Sequence, residues 1–254
     1  VAGIAAGQGQ ANGLLVTNNG TISNNSGLGV LGLAVGDNYG ATVTNTGSVN
    51  ATAGGVLAGI IGENGTLTLN NSGAINTSGI AVAGFVAGDE GQVKVTNTGA
   101  ISGGLLGVGG LVVGDNTTGI ATTVEVKNSA AVTNSGIGVL GGGIGANQVV
   151  KVSTSGAVDS GLLGVGGFSI GENGQVTVST TAAVTSGGAG VVGAGLGDNS
   201  VVKVTAGEQV DGTYLGVGGL IGGAGSSLTI VTEDKVTSSD GFGVAALGIG
   251  TGQT

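Results

Sequence analysis

Apolar and polar residues alternate along this chain in short runs that restart at a fixed interval. In Val93-Lys94-Val95-Thr96 the apolar residues occupy every second position, which is the period of a strand with one face buried. Ala, Leu, Glu and Lys never recur at helical spacing, and β-branched residues dominate, so the pattern predicts strands and no helices.

The runs belong to a repeat. A turn marker, Gly-Asp/Glu-Asn in its clearest form, begins at Gly36, Gly62, Gly88, Gly114, Gly145, Gly171 and Gly197, with degenerate copies at Gly9, Gly223 and Gly250. The steps from Gly9 to Gly250 are 27, 26, 26, 26, 31, 26, 26, 26 and 27, so one unit is about 26 residues. Six residues before each marker after Gly9 stands a valine: Val30, Val56, Val82, Val108, Val139, Val165, Val191, Val217 and Val244. Two more apolar columns follow the marker, one running from Val43 to Ile230 and one from Ile22 to Val236. Each unit reads as a glycine-rich first strand, an acidic turn, a Thr/Asn/Val second strand, an Asn-Thr-Gly turn and a short third strand. Stacked units place identical residues in columns about 4.8 Å apart. The expected fold is all-β: a single-stack β-solenoid (β-helix) of about nine to ten coils, ~26 residues per coil, with no helices, forming one domain over residues 1–254. The column Asn18, Asn45, Asn71, Asn97 and Asn128, continued by Thr154 and Thr180, predicts a side-chain ladder lining a turn. The long step predicts a five-residue loop insertion near 117–123 that bulges outward and leaves the columns in register.

The first strand also obeys a size rule. Positions four and seven before the marker are only Gly or Ala. Positions five and three before it exchange bulk: Leu57 with Gly59, Ala83 with Phe85, Gly109 with Leu111, Leu140 with Gly142, Gly166 with Phe168. Large beside small is what a thin, densely packed core requires, and the trade is assigned to the core on that ground.

Composition narrows the chemistry. Among 254 residues there are 61 Gly and no Pro, Cys, Met, Trp or His, and the net charge is -9 from 14 acidic residues and 5 lysines. Without imidazole, thiol or thioether the chain lacks the usual zinc, copper and haem ligands, leaving only oxygen donors. The negative charge and the absence of a basic, aromatic-interleaved stripe argue against nucleic acid as a partner. The chain is too apolar for disorder, and no run is long enough for a membrane helix, so it is not expected to be membrane-embedded. Because the chain begins at Val1 and contains no Met, it is expected to be processed or a fragment, a cleaved secretory signal being the simplest case.

The phrases Val43-Thr44-Asn45-Thr46-Gly47-Ser48-Val49, Asn71-Ser72-Gly73-Ala74-Ile75 and Val95-Thr96-Asn97-Thr98-Gly99-Ala100-Ile101-Ser102-Gly103-Gly104 resemble the repeats of bacterial autotransporter passengers and related secreted glycine-rich β-solenoid adhesins. The likeness covers nearly the whole chain. It implies a β-solenoid and an extracellular or bacterial cell-surface location; because such passengers include adhesins, matrix components and enzymes, it implies no single activity.

Three sets of residues carry functional expectations. The acidic turn column Asp37, Glu63, Asp89, Asp115, Glu172 and Asp198 stacks like charges; it reads as ordinary turn chemistry whose repulsion solvent and salt screen, so that no cofactor is needed, and the alternative is calcium, which would relieve the repulsion directly. The nine residues before each marker after Gly9 contain no charge, and Ile60, Val86, Val112 and Ile221 are expected to point outward as a lateral apolar face. Val1, Ile4, Phe242, Val244, Leu247 and Ile249 lie in first strands at the two ends, where an uncapped stack presents unpaired backbone to a second copy. These features point to a structural subunit of an extracellular filament, sheath or biofilm matrix. It would polymerise head to tail with itself and bundle laterally. The alternative is an adhesin passenger fragment that binds host or glycan ligands. An enzyme is not expected. Asp159 and Asp211 are two coils apart but have no aromatic platform or cationic partner.

Overall fold

The computed structural model describes residues 1–7, 13–24, 26–120 and 123–254. The chain is all-β, winding through about nine turns of a parallel solenoid with ~26 residues per turn. Three sheets run along it. The glycine-rich first strands form a ten-stranded sheet, the second strands a nine-stranded sheet and the short third strands another nine-stranded sheet, all in sequential order. One coil illustrates the pattern: Ile80–Ala87, Gln92–Asn97 and Ile101–Ser102 lie in the three sheets in turn.

Register follows the sequence columns. Val82 pairs with Val56 and Val108, Val95 with Leu69 and Val126, and Ile101 with Ile75 and Val132. The insertion does not disturb this, because Asn97 pairs with Asn128 across it. At the N-terminal end, however, Ala6 pairs with Val35, so the residue opposite the marker Gly36 is Gly7, which shares its left-handed φ of 131°. The expected marker Gly9 lies outside the described residues, and the first step is 29 residues from Gly7, not 27.

The turn after the glycine-rich strand explains its sequence. The marker glycine has φ between 106° and 149° from Gly36 to Gly250, and a Cβ there would strike the carbonyl of the glycine one coil earlier, so only Gly fits. Two residues later Asn38, Asn64, Asn147, Asn173 and Asn199 occupy the left-handed region near +57°, a conformation that Asn tolerates better than other side chains.

The core is thin because two of the inward columns of one wall are only Gly or Ala. Gly55 and Val56 both turn inward where the strand bends, so strict alternation starts only after Val56. Val56, Ala58 and Ile60 then face the core, while Leu57 and Ile61 face out. The small residues seven and four before the marker lie directly opposite Val, Ile or Leu side chains of the other sheets. At Gly190 an added Cβ would overlap Val210 and lie 2.5 Å from the Gly216 carbonyl; at Gly32 it would lie 2.5 Å from Val43 Cγ2. Glycine in one sheet therefore makes room for the Val and Ile columns of the others, which supply most of the buried apolar surface.

This geometry corrects two expectations. Ile60, Val86, Val112 and Ile221 point inward and are only 0–3 % exposed, so they are core residues and form no lateral face. The exchange of bulk at positions five and three lies on the outside of the sheet, where Phe85 covers Gly59 and Phe168 covers Gly142. A trade does occur in the core, but at the corner beside the acidic turn. There Ile60 and Val86 face Gly65 and Gly91, whereas in later coils Gly143 makes room for Gln148 and Gly195 for Ser200.

Candidate functional site

The polar ladder is the most continuous side-chain feature. Each amide Nδ2 donates along the stack to the next Oδ1: Asn18 to Asn45, Asn45 to Asn71 and Asn71 to Asn97 at 2.7 Å, and Asn97 to Asn128 at 2.8 Å. The second N–H of each amide goes to the carbonyl two residues on, such as Gly73 O for Asn71, which holds the turn closed. Asn128 passes the chain to Thr154 Oγ1, and Thr154 and Thr180 bond their own turn carbonyls, Gly156 O and Ala182 O. Asn45, Asn71 and Asn97 are buried, so each bond is made away from water, where leaving it unmade is costly.

The acidic column takes on backbone work. Asp37 Oδ1 accepts the N–H of Glu63 at 2.9 Å, Asp89 that of Asp115, Asp115 that of Ala146 and Asp198 that of Ala224. These carboxylates thus tie one turn to the next. Among the described residues no three His, Cys, Asp or Glu side chains gather as a metal-binding group, so the calcium expectation at Asp37, Glu63, Asp89, Asp115, Glu172 and Asp198 has no cluster behind it.

Glu90 is a special residue that the sequence reading missed. It occupies the left-handed position that other turns give to Asn, with φ 58°. From there its carboxylate reaches the insertion one coil away. It accepts the backbone N–H of Thr117 at 2.7 Å and of Thr118 at 3.0 Å, together with both threonine hydroxyls. The hydroxyl bonds from Thr117 and Thr118 outweigh its desolvation and, with the backbone bonds, bring its pKa from 4.5 down to about 2. The available signal was a Glu in the Asn column one coil before the only large insertion. Asn116 closes the loop from the other side, accepting from Ile120 N and donating to Ile120 O and Asn147 O.

The outer faces of the three sheets differ. On the Thr/Asn sheet, Lys94 and Lys127 flank Glu125 at 3.0 and 2.6 Å. Partial burial raises the Glu125 pKa, but the two ammonium groups outweigh it and the net shift is downward. A polar cleft of about 270 Å³ opens nearby, lined by Thr96, Lys127, Ser153, Ser155, Ser179 and Thr181. Asp159 and Asp211 stand on the short sheet with Thr185 between them in register. The glycine-rich sheet has no charged residue in any strand, and its single polar residue, Ser169, is buried. On its outer side a groove of about 240 Å³ lies over Gly109 between Phe85 and Phe168, walled by Leu106, Leu111 and Leu140.

The end residues are exposed. Val1 and Ile4 at one end, and Phe242, Val244, Leu247 and Ile249 at the other, are 50–71 % accessible. Val244 belongs to a column whose other eight valines are fully buried. No described helix is long and apolar enough to cross a membrane. In comparisons with protein-family models, curated proteins and solved structures, the chain gives no match.

Proposed function

We propose that the chain is a structural subunit that lengthens by stacking coil on coil with another copy of itself, as part of an extracellular filament, sheath or biofilm matrix. The carrying observation is Val244: a residue of the innermost apolar column stands half exposed, and only a further coil in register buries it as its eight counterparts are buried. Ile230 and Val236 of the last coil, partly exposed where their counterparts Val204 and Val210 are fully buried, extend the same uncovered layer, whereas Ile4, Leu247 and Ile249 stand at outward positions of the glycine-rich sheet. These surfaces would take a coil from another copy or from more of the same polypeptide; the proposal is that another copy supplies it. Parallel pairing at the seam would continue the three sheets as they continue within the chain.

Electron microscopy of the purified 254-residue chain at neutral pH, with and without a calcium chelator, tests this. Filaments are expected in both conditions, and Val244→Asp with Ile230→Asp should abolish them while leaving the circular dichroism of the strands unchanged. Uniform single particles from the unmodified chain would overturn the proposal. Chelator-sensitive filaments would restore calcium to the acidic column. A second reading, an adhesin passenger fragment, is favoured by the hydroxyl-rich cleft at Ser153, Ser155, Ser179 and Thr181, whose chemistry suits a glycan. A glycan array probed with the Ser153→Val, Ser179→Val variant beside the unmodified chain would separate the two.

A further inference from the structure

End-to-end stacking leaves the outer face of the glycine-rich sheet unused. Ten strands of up to eight residues, about 4.8 Å apart and about 26 Å long, present about 1,100 Å². A stable protein interface needs about 800 Å² per partner, and monomeric proteins rarely leave a larger apolar patch uncovered. The face is free of charge, unlike the two other faces of a chain with net charge -9.

The relief of this face identifies what covers it. In most coils the positions five and three before the turn glycine carry one large and one small side chain, as in Ala83 with Phe85, Leu140 with Gly142 and Gly166 with Phe168; Leu31 with Leu33 is the exception. All of these lie on the outside, and Phe85 remains 40 % exposed even though its ring covers Gly59. Consider a two-fold axis parallel to the stack, lying in the contact plane over the column Gly84, Gly110, Gly141. This rotation keeps every coil at its own level and exchanges position five with position three. Phe85 of one copy then meets Ala83 of the other at the same level, Phe168 meets Gly166, and Leu140 meets Gly142, with each contact made twice. The same rotation sends the acidic turns of the two copies to opposite edges. The other face-to-face two-fold, with its axis along the strands, sets Asp37, Asp89 and Asp198 on the same edge as their counterparts and brings like charges together.

We infer that the chain pairs with a second copy of itself, face to face through the glycine-rich sheet, with the two stacks parallel and matched coil for coil. This pairing does not depend on end-to-end stacking. Sedimentation velocity over a range of micromolar concentrations tests it. A Val244→Asp, Ile230→Asp background, changed only at core-facing positions of the last coil, removes end contacts, so the lateral contact is read alone. That background should sediment at the mass of two chains. Adding Phe85→Asp and Phe168→Asp should give the mass of one chain with unchanged circular dichroism, whereas Thr177→Asp on the opposite sheet should leave the pair intact. Because the chain has no cysteine, Leu57→Cys with a short bis-maleimide reads the arrangement: parallel stacks join Cys to Cys at one level, and antiparallel stacks do not. A single-chain mass for the background, an unaffected pair in the Phe variant, or flotation of single chains with phosphatidylcholine vesicles would overturn the inference. A pair without the Leu57→Cys cross-link would overturn the parallel arrangement.

Discussion

Glycines on the two sides of the glycine-rich sheet have opposite meanings. An inward Gly such as Gly164 is a space requirement, because a Cβ there would overlap Val184 and come 2.5 Å from the Gly190 carbonyl, and neither can yield. An outward Gly such as Gly166, two residues away, meets only the flexible ends of Leu163 at 2.7 Å and Leu140 at 3.0 Å. The first kind lets valines from the other sheets fill a narrow interior. The second kind shapes a surface. Composition alone cannot separate them, and the side each glycine faces decides which it is.

This contrast is open to mutation. The largest effect is expected at Gly164→Val, where forced overpacking against backbone should cost about 3 kcal/mol or more, or prevent folding; Gly166→Val should cost about 1 kcal/mol or less. Equal losses in chemical denaturation would erase the distinction. Next comes Ile60→Ala, expected to cost about 2 to 5 kcal/mol as a core truncation, beside Ile61→Ala at the neighbouring exposed position, which should stay within about 0.5 kcal/mol. A reversed order would restore the outward placement of Ile60.

The ladder gives a smaller effect. Asn71→Leu removes the acceptor of Asn45 Nδ2 and the donors to Asn97 Oδ1 and Gly73 O, so about 2 to 3 kcal/mol should be lost, measured by urea midpoint. Thr180→Val, which loses the hydroxyl's donation to Ala182 O and its longer acceptance from Ala182 N, should cost about 1 kcal/mol. The effect at Glu90 depends on pH. Its folded pKa is depressed to about 2 from 4.5, so its contribution is fully present above 4.5 and disappears as pH falls through about 2. Glu90→Gln should therefore be less stable than the unmodified chain at neutral pH, and the gap should close between pH 4.5 and 2. A gap independent of pH would show that the carboxylate charge is not what holds Thr117 and Thr118.

Much of the fold was legible because stacking writes each position several times. The columns beginning at Val30, Val43 and Ile22 gave the strands and their register, and the Asn18 to Asn128 column gave the ladder. The side of the glycine-rich sheet was not legible, for a physical reason. Its inward positions after Val56 include Gly and Ala, so bulk no longer marks the inside, and the bend that turns both Gly55 and Val56 inward breaks the count by which Ile60 was assigned. The role of Glu90 was hidden because it reaches 27 residues along the chain, to a loop whose position only the stack defines. Gly7 escaped notice as the first turn glycine because the departure from the 26-residue step falls in that coil.

Stacking by copies is the claim on which the functional account stands, and fibre diffraction from concentrated, aligned protein at neutral pH measures it most directly. The account predicts a meridional reflection near 4.8 Å, from strands lying across the fibre, in material whose filaments under the microscope are many times longer than the ~45 Å of one stack. Protein that stays at single-stack length and yields no oriented reflection at any concentration would contradict it.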